Sequence, residues 1–579
     1  MKLKNTILTI GMSGMLSMGL TSCSDFLTIE PLNEIVQDKF WNSESDVENI
    51  VMGCYSAMQS QTVIERMIIW GESRSDDMVG GTNVANNEAL SNIFKENINA
   101  KNTYTTWGEF YDIINRCNLV LKYAPEVAQK DPNYSESELK ATEAEVVALR
   151  SLCYFYLIRA FRDVPYSEEA FVDDTQKMDL PATSFEVVLD HLIASLEEVR
   201  PYALKKYQET KPLYQRGRIT RDCIDAMLCE MYLWKQDYAS AVRYADNVIA
   251  SKTEEFKDSK NSGSSSIVGS SKLFEGYPLY SEKNSGSSSS SYYGNVYNQL
   301  FSSNSCNENI FELIYSRDET MLSNGAVSYF YGNQTTFPGI IKPADFIAGD
   351  VADELYKVFR NKYDARYYSS IEKLSSSSYG IAKNANTDVD ISLTNGEIKT
   401  NGSKYVESNC YAPWIIYRTA DVMLLKAEAL TQMVNPNDET EAGKTKNDSL
   451  LHAAYDIVNV IEKRSSIAST YEDISYNDYS SKSQMEELVL IERQRELMFE
   501  GKRWFDLVRK ARRDGKTNFL INKVMQKGSD NAGVVQSKLA RMDAIYWPYN
   551  YDELKVNGNL TQNPAFGAGD EGSSYETTK

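Results

Sequence analysis

The 579-residue chain has only two histidines, His191 and His452. That excludes most hydrolase triads and most zinc sites, both of which draw on imidazole. Its eight cysteines, at 23, 54, 117, 153, 223, 229, 306 and 410, form no C-x-x-C pair. Neither a zinc knuckle nor a thioredoxin-like site is therefore expected, and no cofactor is implied. Cys117, Cys153 and Cys223 fall in helical patterns and read as small core residues. Positive charge is in deficit: 61 Lys and Arg against 81 Asp and Glu leave −20. A nucleic-acid partner wants basic patches, so this balance argues against one. It also disfavours adhesion to anionic lipid by charge alone. Beyond the N-terminal leader, no run is apolar enough to span a bilayer.

What is present begins with that leader. Lys2 and Lys4 precede a short apolar run, Ile7 to Leu20, which ends in Leu20-Thr21-Ser22-Cys23. The run is too short to cross a membrane and fits a secretory signal. Its end resembles a bacterial lipoprotein signal, which implies cleavage before Cys23 and lipidation of that thiol. The whole chain is 42% hydrophobic, enough for a substantial core, and holds 38 tyrosines.

Apolar spacing predicts helices over 43–58, 107–123, 136–161 and 184–199. The third should stop at Arg162-Asp163-Val164-Pro165, because proline disfavours helix in the residue before it. Two helix pairs follow, 220–233 with 237–249 and 418–433 with 450–464, each with alanines at its contact face. They resemble tetratricopeptide units, although the second pair has a longer connection than a 34-residue period expects. The fold class predicted is mainly α: a tetratricopeptide-like scaffold with a long irregular insertion. The divisions are a signal over 1–22, helical regions over 23–250 and 413–579, and an irregular Ser/Tyr-rich stretch over 251–412. Serine tracts at 262, 285 and 375 read as surface loops, and 309–315 as an occasional strand.

The stretch 495–510 combines Glu496 and Glu500 with basic residues and with Phe499, Trp504 and Phe505. On a helix, Glu492, Glu496 and Glu500 form one stripe. Two glycosidase carboxylates must instead face a sugar from separate positions. The stretch therefore reads as an ion-paired helix packed on its neighbour, with Gly501 allowing a break.

From Glu492 to Arg509 the wording is Glu-Arg-x-Arg-Glu-Leu-x-Phe-Glu-Gly-x-Arg-Trp-Phe-Asp-Leu-Val-Arg. It resembles the C-terminal signature of the SusD/RagB family of outer-membrane lipoproteins. Other family pieces occur in order: Ser24-Asp-Phe-Leu, Trp70-Gly-Glu-Ser-Arg-Ser-Asp-Asp77, Trp107-x-x-x-Tyr111, Phe161-Arg-Asp-Val-Pro165, Arg418 to Ala429, and Trp547-Pro548. Departures lie near the end, where Tyr549-Asn550 replaces Ile-Pro and Ala565 stands for a glycine.

The resemblance implies a cell-surface protein, lipid-anchored in the outer membrane and facing outward, that performs no covalent chemistry. It would hold an oligosaccharide and pass it to a TonB-dependent β-barrel transporter of the SusC type. Ligand groups would come from the loop after the first helices and from the irregular insertion. Carried onto this chain, these are Asp76, Asp77, Asn83, Asn86 and Asn87, with Tyr292, Tyr293, Tyr297, Tyr329 and Tyr331. Trp70, Arg74 and Trp107 read as structural. Tyr292, Tyr293 and Tyr297 are either sugar platforms or loop residues beside a serine tract. A peptide ligand, a surface glycoside hydrolase and a plain scaffold stay open as alternatives.

Overall fold

The computed structural model describes residues 40–567 except 174, 259–272, 284–291, 303–305, 317–322, 335–336, 349–357, 376–377, 386–388, 395, 401–405, 407–409 and 529–530. Cys23 lies outside the described residues, as do two of the serine tracts.

Helix α1 spans Glu44–Met58 and α2 Gln61–Ile68. The α1 start is set locally: the Asp46 carboxylate accepts the Ser43 N–H at 2.8 Å. One π-helical turn, Ile69–Ser73, ends α2 and leads to strand β1, Met78–Gly80. The short α3, Glu88–Phe94, precedes the long pair α4, Gly108–Lys130, and α5, Glu136–Phe161.

Every residue of α5 from Ala144 to Phe161 is buried. A helix enclosed on all sides shows little amphipathic period, and its polar residues must find partners inside. Glu145 receives Arg218, Arg150 donates to Asn118, and Arg159 donates to Glu230. The helix stops where expected, with Arg162 at φ 71° and a strand pair at Val164–Pro165.

After α6, Phe185–Val199, come the hairpin helices α7, Arg221–Lys235, and α8, Tyr238–Asp258. Gln236, in the left-handed region at φ 65°, makes the tight turn between them. The excursion that follows holds short elements: β2 (Tyr292–Tyr293), β3 (Asn309–Leu313), α9 (Gly325–Tyr331), β4 (Ile341–Pro343), β5 (Ile391–Thr394), β6 (Glu397–Thr400) and β7 (Trp414–Arg418). The pairings are β1 with β4, β3 with β7, and the order β6-β5-β2, all antiparallel.

The chain then returns to helix: α10 (Thr419–Met433), α11 (Glu441–Ser465), α12 (Lys482–Leu497), α13 (Arg503–Asp514) and, near the end, α14 (Tyr551–Val556). Helix α8 packs on α10, and α10 on α11 and α12. The two helix pairs thus stack although the excursion separates them in sequence. Ala241 and Ala245 of α8, and Ala420 and Ala427 of α10, are fully buried. The connection within the second pair is shorter than the sequence reading had it, because α11 starts at Glu441. Its first turns, Glu-Ala-Gly-Lys-Thr-Lys-Asn-Asp, carry almost no apolar residues and give no periodic signal; Thr440 caps them instead.

Candidate ligand-binding ledge

The signature stretch is two helices, not one. Helix α12 ends at Leu497, α13 begins at Arg503, and Phe499 (φ 68°) and Gly501 (φ 72°) turn the chain between them. Glu72, in the π-helical turn, holds this junction: its carboxylate accepts the N–H groups of Phe499 and Lys502 at 2.8 Å and of Arg503 at 3.2 Å. The two backbones nearly touch. A Cβ on Gly71 would stand 1.8 Å from the Gly501 carbonyl oxygen, so only glycine fits there.

The acids of the signature are spent inside. Glu496 receives Arg418 at 2.6 Å, Arg366 at 3.0 Å, and Arg464. Glu500 receives Arg418 at 2.9 Å and Lys383 at 2.7 Å, and Glu492 receives Arg366 at 2.7 Å. All three are buried. Burial opposes the charge of Glu496, but Arg464, Arg418 and Arg366 outweigh it and hold the carboxyl well below its usual range. These acids hold the junction together and are not open to a sugar.

Asp76 and Asp77, expected at the ligand, are also fully buried. Asp76 takes a two-pronged bond from Arg503 at 2.8 and 2.9 Å, and Asp77 Oδ1 accepts from Gln494 at 2.7 Å. The expectation is corrected: a ligand could reach them only by displacing Arg503, and burying that arginine unpaired would cost several kcal/mol, about 3–5. Asp77 Oδ2 meets no donor. Burial, then Glu72 and Asp76, push this carboxyl well above its usual range. A proton held on Asp77 and donated to Glu72 satisfies both groups.

From this clamp the chain emerges onto the surface. Strand β1 pairs with β4, Met78 opposite Pro343, and the Gly81 N–H donates to the Ile340 carbonyl at 2.8 Å. A 3-10 turn, Val84–Asn86, follows. Asn83 and Asn87 are half-buried and Asn86 is exposed. Asn87 has two jobs. Its Oδ1 accepts from Leu90 N at 2.9 Å and caps α3. Its Nδ2 donates to the hydroxyls of Tyr104 at 3.0 Å and Tyr329 at 3.1 Å. Tyr329, half-buried on α9, rests its ring 5.2 Å from that of Phe330.

Asn83, Asn86 and Asn87 thus lie on one surface turn, and Asn87 ties that turn to Tyr329; together they form the candidate ledge. The sequence reading missed Tyr104, the second phenol tied by Asn87. Burial pushes its hydroxyl up to about 12, so it stays protonated. Its one signal is the polar Asn-Thr-Tyr-Thr run between two helices, which marks a turn but not a contact.

The remaining tyrosines go elsewhere. Tyr331 is buried and donates to the Phe499 carbonyl at 2.9 Å, inside the helical junction. Tyr297 is 2% exposed, and its hydroxyl lies 2.9 and 2.8 Å from the carbonyls of Ala382 and Ala385. Both are core residues, which corrects their expected role at the ligand. Aromatic rings beside a serine tract carry no mark of which way they face. Tyr292 and Tyr293 form β2 and pair with Ser392 and Ile391. Tyr293 is half-buried against the small apolar cluster around Tyr297, distinct from the one holding Tyr329. Trp70, Arg74 and Trp107 are buried, as read.

Comparison with known proteins identifies this architecture. The sequence model of the SusD family matches residues 231–566, and one described as "Starch-binding associating with outer membrane" matches 25–233. A SusD-like protein P38 from Formosa agariphila is 26% identical over 582 aligned positions, spanning 97% of this chain and 99% of its own length. A solved SusD superfamily structure from Bacteroides thetaiotaomicron superposes with TM-score 0.62 at 19% identity, covering 91% of this chain and 99% of that one. NanU of Bacteroides fragilis gives 0.59 at 18%, covering 93% and 100%. At these identities the structural likeness speaks for the fold, a tetratricopeptide-like helical body with an irregular insertion.

Proposed function

This chain belongs to the SusD family, and from that premise we propose that it captures a glycan non-covalently at the cell surface and delivers it to a TonB-dependent β-barrel transporter in the outer membrane. The tether is a lipid on Cys23, which several acyl chains would make stable at about 0.8 kcal/mol per buried CH₂. The lipoprotein-like leader and the family description of starch binding at the outer membrane support this reading. The observation that carries the site is the ledge itself. Asn87 caps α3 and ties half-buried Tyr329 beside the turn that carries Asn83 and Asn86, so the phenol has little ordering entropy left to lose on binding. A sugar's C–H face would lie on the Tyr329 ring and its hydroxyls on Asn83 and Asn86. One shallow contact of this kind is weak. Weak capture suits a protein that must release its cargo.

Calorimetry against a panel of polysaccharides and peptides tests the reading. Tyr329→Ala should weaken glycan binding about two- to twelvefold, the worth of one aromatic contact of roughly 0.5–1.5 kcal/mol. Binding of peptides but of no glycan, or undiminished glycan affinity in Tyr329→Ala, would refute it. Cys23→Ala should abolish labelling by radioactive palmitate and move the protein out of the membrane fraction.

A further inference from the structure

A cleft of about 850 Å³ opens between the start of α4, the 165–180 loop and α14. Met178 on one side is 54% exposed and Val556 on the other is 75% exposed. They are the two most exposed large apolar side chains among the described residues. Leaving both in water on one cleft costs burial that an occupant would recover.

The walls are fixed. Asn115 accepts from the Phe171 N–H at 2.8 Å and donates to its carbonyl at 2.9 Å. Tyr111 donates to the Pro165 carbonyl at 2.7 Å, and Asn557 to that of Leu180 at 2.8 Å. Gln176 is spent on Val172, Glu169 and Ala170. The amides that could serve sugar hydroxyls are thus already used, and Trp107, at 2% exposure, offers no open ring face.

What remains is aliphatic surface and carboxylate. Asp173, Asp179 and Glu553 line the cleft against one lysine, Lys177. A second cavity of about 640 Å³ shares Gly108 and Glu553 with the first and adds Glu109 and Asp112. Asp112 is paired at the surface with Arg116. One Glu109 oxygen is buried and accepts no hydrogen bond, and burial raises the Glu553 carboxyl above its usual range while Trp107 donates to it. Glu109 faces the Arg66 guanidinium, so Asp173, Asp179 and Glu553 beside the apolar trough, with Lys177 the one lysine among them, call for a cation that carries apolar neighbours.

We propose that this continuous groove docks an extended polypeptide segment of a partner, with Leu- or Val-like side chains between Met178 and Val556 and a Lys or Arg at Glu553. Charge argues against this chain filling the groove itself. Residues 568–579 carry Asp570, Glu571 and Glu576 against Lys579, and the whole chain carries −20.

Fluorescence anisotropy on the full chain tests the assignment, with fluorescein-labelled Gly-Leu-Lys-Leu-Arg-Leu-Gly as probe and the same peptide with Glu in place of Lys and Arg as control. The basic probe should bind saturably and the acidic one should not. Val556→Asp and Met178→Asp, both at exposed positions, should weaken the basic probe at least roughly tenfold. Added salt should weaken it too. Glycan affinity at the ledge should be unchanged in both variants, which separates this result from the fate of the glycan reading. No saturable binding, equal binding of the acidic probe, or full affinity in Val556→Asp would overturn the proposal. So would a dimer seen by sedimentation velocity that Val556→Asp dissolves, since the occupant would then be a second copy.

Discussion

Glu496→Gln tests whether the acids of the signature stretch act as internal architecture. Glu496 is 4% exposed, and Arg418 and Arg464, which it pairs, are each 1% exposed. Arg366 completes the set. Glutamine keeps the shape, removes the charge, and turns an N–H group toward guanidinium donors. Breaking a buried pair from one side costs about 3–5 kcal/mol, because the partner charge stays buried without compensation. That lowers the folding constant by roughly two to three and a half decades at 1.4 kcal/mol per decade. Urea unfolding followed by circular dichroism reads the loss, with Glu441→Gln as control at a residue whose side chain is 94% exposed; the control should stay within about 0.5 kcal/mol. The pH dependence gives a second reading. The folded Glu496 carboxyl lies below its unfolded value of about 4.3, so its contribution is present above that pH and lost as pH falls through the folded pKa. The gap between wild type and variant should therefore narrow on acidification below about pH 4. A loss under about 1 kcal/mol at pH 7, or a gap that does not narrow, would refute the reasoning.

Two further outcomes follow from the clamp. Gly71→Ala should cost at the upper end of the ~1–3 kcal/mol typical of overpacking, because its Cβ would meet backbone rather than a flexible side chain. Gly533→Ala, in helix 532–539 with nothing near its Cβ, should gain about 0.5–1 kcal/mol instead; equal effects at the two sites in thermal melts would contradict the close approach. Asp77 works in the opposite sense to Glu496. Its folded pKa is raised, so its contribution is full below the unfolded value of about 3.9 and is lost as pH rises through the folded value. Asp77→Asn cannot ionise and can still donate to Glu72. Melts at acidic and mildly alkaline pH should show the variant gaining on wild type as pH rises, and the reverse trend would remove the shared proton.

The sequence by itself determined the helices whose apolar residues repeat: the starts near 43 and 136, the stop before Pro165, and the two alanine-faced pairs. Such features are local, because caps and periodicity act within a turn or two. It also carried the family, since the signature wording is a linear string, and the ion-paired character of Glu492, Glu496 and Glu500. It did not show that Asp76 and Asp77 face inward. Their partners, Arg503 and Gln494, are more than 400 positions away in sequence, and a carboxylate reads the same whether water or a guanidinium surrounds it. The tyrosines failed as predictors for a related reason. Ring burial depends on which cluster the insertion folds against, so Tyr297 and Tyr331 became core while Tyr329 stayed half-open. Only the tertiary structure decided the ledge, where Asn87 joins two phenols from different segments. Only it decided the groove, whose walls come from α4, the 165–180 loop and α14. Long-range contacts pay back the entropy of closing those loops only once the scaffold has formed, so no local pattern records them.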